Sequence, residues 1–154
     1  MKVIGVLLLL MAGLSTGVLL VKRASQREKT CRELVRLCDA LMTDIRFRAT
    51  PMPLLLEQLL DSGNYPSLGF ISPSAVAEKA FLQSPLKEEE NREIAVFLYS
   101  LGKSDSASQL QCIQAFQREM QQCAENYSER LKRDGRLYIT FGVFVPLLVS
   151  LVLL

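Results

Sequence analysis

The sequence predicts an all-α protein: an antiparallel helical bundle of about five or six helices, the first and last long helices continuing into N- and C-terminal transmembrane segments. Three observations predict it. Apolar residues recur at spacings of three and four through most of the chain, as one face of a helix requires. No stretch alternates with period two for long enough to make a strand. The two ends, 3–21 and 137–154, are charge-free runs of 19 and 18 residues. Both are close to the roughly 20 residues that the hydrocarbon core of a bilayer demands of a helix.

Residues 3–21 (VIGVLLLLMAGLSTGVLLV) are longer than the apolar region of a signal peptide, about 7–15 residues, and no small-residue cleavage site follows them. They are followed by Lys22, Arg23, Arg27, Lys29, Arg32 and Arg36, and Lys132, Arg133 and Arg136 stand just before the C-terminal run. Basic flanks of this kind stay on the cytoplasmic side. The expected organisation is therefore a transmembrane helix at 3–21, a cytoplasmic helical bundle at 22–136 and a second transmembrane helix at 137–154. The expected localisation is the cell membrane, two-pass, with the head in the cytoplasm.

Between these ends the helices follow one another closely. Positions 31, 34, 38, 41 and 45 form a helical stripe, so that 3–49 reads as one long helix. Thr50-Pro51-Met52-Pro53 ends it, because residues before proline avoid the α region. Pro51 is expected as the first residue of the next helix, with Thr50 as its cap. That short helix runs from Leu54 to Asp61, and Asp61-Ser62-Gly63-Asn64 stops it. Pro73 behind Ser72 starts another short helix through Leu82, and Ser84-Pro85 turns the chain. Lys87–Leu101 is a helix with Glu88, Glu89 and Glu90 in its first turn, where they complement the helix dipole. Gly102 is expected in the left-handed position that ends it. Ser106 to Gln109 reads as a capping box, with Asp105 or Ser104 also placed to satisfy the free amides. Apolar positions at 110, 113, 116, 120, 123, 127 and 131 continue the last helix from 106 to 154.

The polar residues point to no catalytic chemistry. With no histidine in 154 residues there is no imidazole ligand or general base. The stretch 22–136 carries 17 basic and 16 acidic residues, too even a balance for a nucleic-acid binder. Gly102-Lys103-Ser104 lacks the upstream glycine of a phosphate loop. Catalytic, cofactor-binding and metal residues are all read as none, and no small-molecule substrate is implied. Cys31 and Cys38 lie about 10.5 Å apart along a helix axis and Cys112 and Cys123 about 16.5 Å, beyond disulfide reach within either pair. They read as small apolar side chains in a reducing compartment. If 22–49 and 106–136 leave a common level antiparallel, Cys38 and Cys123 stand at about 24 and 20 Å and face each other across the seam.

The order of segments resembles the stage III sporulation protein AB family, over nearly the whole chain. The family's TPLPE loop is similar to Thr50-Pro51-Met52-Pro53, with Leu54 in the place of its Glu. Its LGxSDxxxQ segment is similar to Leu101-Gly102-Lys103-Ser104-Asp105-Ser106-Ala107-Ser108-Gln109. The resemblance implies a domain similar to the cytoplasmic domain of type II secretion F proteins. It also implies a non-enzymatic membrane platform component of an endospore-formation channel, on the mother-cell side of the outer forespore membrane. The implied partners are the companion ATPase, stage III sporulation protein AA, other channel components and the lipid bilayer. Thr50, Pro51, Pro53, Gly102, Ser104, Asp105, Ser106 and Gln109 are then structural or partner-facing. The alternative is a two-span envelope protein of a lipid-binding or holin-like kind.

Overall fold

A computed structural model describes the backbone of residues 2–48, 50–76 and 82–153. Within these it describes the side chains of 18–48, 50–74, 82–134 and Thr140. Among the described residues four α-helices form: α1 (Lys2–Phe47), α2 (Met52–Asp61), α3 (Glu88–Ser100) and α4 (Ser106–Leu153). Two 3₁₀ turns, Pro66–Leu68 and Pro73–Val76, lie between α2 and α3. The bundle thus has four helices and not five or six. The helix expected from Pro73 to Leu82 is, in its described part, a four-residue 3₁₀ turn. Residues 77–81 lie outside the described residues, and Leu82 is already non-helical. A run this short closes i→i+3 bonds without propagating an α ladder.

The expected transmembrane continuation requires a correction. Among the described residues no helix is long and apolar enough to cross a membrane. The described side chains of α1 begin at Val18, and from Lys22 onward charges recur at nearly every turn. Each is costly to place in hydrocarbon. Most of 3–21 and 137–154 falls on residues whose side chains lie outside those described. The two-pass topology is therefore not supported, nor are the membrane localisation and the cytoplasmic head derived from it.

The chain divides into two compact units: Gln26–Glu125, and Met1–Ser25 together with Asn126–Leu154. The first holds α2, α3, the C-terminal half of α1 and the N-terminal part of α4. Of the stripe expected from spacing, Cys31, Leu34, Cys38 and Leu41 of α1 are fully buried, with Leu37 beside them, and Ile45 is half-buried. Ile94, Phe97 and Leu98 of α3 and Ile113, Phe116 and Met120 of α4 join them. Phe97 and Phe116 stack with ring centroids 3.9 Å apart, the closest aromatic contact described between α3 and α4. Leu55 and Leu56 bring α2 onto the same core.

The register between α1 and α4 is set by a side chain that the apolar pattern does not reveal. Gln117 of α4 donates to Asp39 Oδ1 at 2.6 Å and to the Val35 carbonyl at 3.4 Å. Two turns away, the Cys123 thiol lies beside that of Cys31. The expected facing pair, Cys38 and Cys123, is therefore corrected to Cys31 and Cys123, a slip of about 10 Å. The expectation assumed that both helices start level at their basic flanks. Side-chain packing sets the register instead, and it places Cys112 of α4 near Cys38.

Candidate functional site

The two loops singled out by sequence meet at one end of the 26–125 unit. Gly102, between α3 and α4, has φ +78°, and a Cβ built on it would lie 3.5 Å from the Met52 side chain. Met52 is the first residue of α2 and is buried. Motifs fifty residues apart in the chain therefore form one corner.

Each half of that corner is held by a carboxylate. Asp44, buried in the last turns of α1, accepts from the Thr50 amide and from the Thr50 hydroxyl, both at 3.0 Å. Thr50 is thus not the cap of α2, as expected, because its hydroxyl is already engaged backwards. Pro51 takes the cap position with extended backbone (φ −56°, ψ 130°), and its carbonyl accepts from Leu55 at 3.0 Å. Pro53 sits in the first turn, where its missing N–H is no loss.

On the other side, α3 ends at Leu101, whose amide bonds the Leu98 carbonyl at 3.2 Å. Gly102 then turns left-handed, as expected. The Lys103 ammonium lies 2.8 Å from the Tyr99 ring centroid, a cation–π contact. Ser104 is exposed. Asp105 caps α4: its Oδ2 accepts from the Ser108 amide at 3.2 Å and its carbonyl from the Gln109 amide at 2.9 Å. The Ser108 side chain first, and then the Ser108 amide, hold the Asp105 carboxyl below its usual range. Ser106 is the first helical residue and not the cap. Gln109 is buried, and its Nε2 has no hydrogen-bond partner among the described atoms.

Two further polar contacts escaped the reading of the sequence. Glu33, buried on α1, accepts from the Ser67 amide at 2.7 Å and its hydroxyl at 2.9 Å. It pins the loop carrying Leu68 to the helix. Glu90 on α3 accepts from the Lys87 amide at 2.9 Å and from the Cys123 thiol at 3.2 Å. The neighbouring Cys31 thiol, burial and the nearby Glu90 all push the Cys123 thiol well up. Sequence signals for these pairs are weak, since a Glu on an apolar face is the only hint. Among the described residues no group of three or more Cys, Asp or Glu is arranged to hold a metal ion.

The half of the chain that carries the first loop and the half that carries the second each match the model of one family, over residues 2–75 and 72–154. That family is described as stage III sporulation protein AB. The chain belongs to the stage III sporulation protein AB family. No curated protein and no solved structure matches it. Members of the family are structural components and not enzymes, and membership implies interaction with a companion sporulation ATPase in general. The membrane-spanning platform role expected from sequence is corrected, because it requires spans that the described helices do not supply. The lipid-binding or holin-like alternative needs the same spans and loses the same support.

Proposed function

We propose that this protein is a non-catalytic scaffold of the sporulation machinery, which binds the companion ATPase, stage III sporulation protein AA, through its helical unit at 26–125. The reading rests on the family match across residues 2–154. The disposition of the polar groups agrees with it. Asp44, Glu33 and Asp105 are each committed to a backbone amide of a neighbouring loop or helix start. Carboxylates used in this way hold a surface in shape. The eight motif residues serve that framework: Thr50, Pro51 and Pro53 shape one loop, and Gly102, Ser104, Asp105, Ser106 and Gln109 the other. The unit acts toward the ATPase as its resemblance to type II secretion F domains implies, holding it in register. The test is surface plasmon resonance of the full chain over immobilised companion ATPase, without nucleotide, with ADP and with ATP. Saturable binding in at least one state is expected. No binding in any of them overturns the proposal.

A further inference from the structure

Among the described residues of the 26–125 unit, three large apolar side chains stand in solvent. Phe47 is 81% exposed, Val96 56% and Leu54 46%. Single exposed apolar residues are ordinary, but these three occur in two settings of opposite charge. Phe47 and Leu54 flank the corner made by Met52 and Gly102, with Arg46, Arg48 and Lys103 exposed around them. The carboxylate near this corner, Asp44, is buried and turned to Thr50, and Asp105 is turned to Ser108. Exposed Glu57 lies one turn beyond Leu54.

Val96 lies on the outer face of α3, one turn from Glu93 and two from Glu89, both exposed. Glu119 of α4 lies close to Glu93. Partial burial, then the charges of Glu119, Glu90 and Glu89, hold its carboxyl above the usual range. The exposed cations Arg92, next to Glu93, and Arg118, next to Glu119, adjoin this group in sequence. The acidic face therefore carries like-charge repulsion, and among the described residues no ion pair joins an acid to Arg46, Arg48 or Lys103. The ion pairs described, Arg32–Glu28 and Arg133–Asp134, lie elsewhere on the chain.

We propose that the basic apolar corner around Phe47 and Leu54 binds the acidic face around Val96 of a second copy of this chain. Each surface supplies what the other lacks. Val96 is placed against Phe47 and Leu54, and Arg46, Arg48 and Lys103 meet Glu89, Glu93 and Glu119. Apolar contact gives the affinity, and the charges give the choice of partner. Few residues take part, so the association is weak and sensitive to salt. It uses surfaces that leave the buried framework of the two motifs undisturbed.

Charge exchange tests this on the full chain. Sedimentation equilibrium over a concentration series is expected to show self-association of the wild type that weakens as salt is raised. Arg48→Glu with Lys103→Glu weakens it about tenfold or more, and so does Glu89→Arg with Glu93→Lys. All four substitutions in one chain restore it, because the charges are complementary again. Phe47→Ser and Val96→Ser each weaken it without altering its dependence on salt. A wild type that stays monomeric overturns the inference, and so does association unchanged by either pair. Failure of the fourfold variant to regain association overturns it as well.

Discussion

The Cys123 thiol on α4 lies beside the Cys31 thiol on α1 and donates to Glu90 on α3 at 3.2 Å. Three helices meet at this point, so the pair reports the register of the whole unit. Mild oxidation of the full chain with diamide, followed by peptide mapping, is expected to give a Cys31–Cys123 crosslink. A dominant Cys38–Cys123 link would show the register to be wrong.

The same thiols differ in reactivity. Cys112 is exposed, whereas Cys31 and Cys38 are buried. Burial, with Asp39 and Cys112 adding their charge, pushes the Cys38 thiol up to about 12. The thiolate is the reactive form, so Cys38 is nearly inert at neutral pH. Alkylation by iodoacetamide, followed by mass spectrometry, should modify Cys112 first and Cys38 only as the protein unfolds. Equal rates at the two positions would contradict the packing.

Gly102 has φ +78°, and Gly63 has φ +73°. A side chain at Gly63 meets nothing within 4 Å, and one at Gly102 meets Met52 at an ordinary 3.5 Å. Backbone strain therefore governs both. Gly102→Ala and Gly63→Ala should each cost about 1–2 kcal/mol, and Gly102→Val should cost more, because a β-branched residue resists φ > 0. Urea unfolding of the full-length variants measures this. A neutral Gly102→Val would exclude the left-handed turn.

Asp44 is buried and accepts two bonds from Thr50. Asp44→Ala leaves the Thr50 amide without its acceptor and should cost about 2–3 kcal/mol. Thr50→Val removes one of the two bonds and should cost about 1 kcal/mol. Equal unfolding midpoints for both variants and wild type would remove Asp44 from its role at the corner.

Two carboxyls make opposite contributions with pH. Asp105 is held below its ordinary value of 3.8 by the Ser108 bonds. Its stabilisation is present above that value and is lost as pH falls through the lower folded value. Asp105→Ala should lower the unfolding midpoint at pH 7, with less effect in strong acid, while Ser106→Ala leaves it unchanged. Glu93 is held above its ordinary value of 4.5, by partial burial first and then by neighbouring carboxylates. The folded state therefore binds that proton more tightly, and stability falls as pH rises from 4.5 through the folded value. Glu93→Gln should be more stable than wild type at pH 7, with the gain shrinking towards strong acid. A midpoint for Glu93→Gln below that of wild type at pH 7 would contradict the shift.

Local rules made much of this protein legible in its sequence. The stripe at 31, 34, 38 and 41 is buried as its spacing requires, since helical periodicity and apolar burial are both local to one helix. Gly102 is left-handed, because a helix end followed by a polar turn favours the residue without a Cβ. The family, too, was legible, through the two loop motifs. Tertiary structure alone decided what lies opposite what. Cys31 and not Cys38 meets Cys123, because Gln117 and the core side chains set how far α4 slides along α1. Thr50 caps nothing, because Asp44 lies within reach of it. Asp105 and not Ser106 opens α4, a choice between adjacent residues that hydrogen-bond geometry makes. Spacing along one helix specifies a face, but the partner of that face depends on the packing of the whole chain.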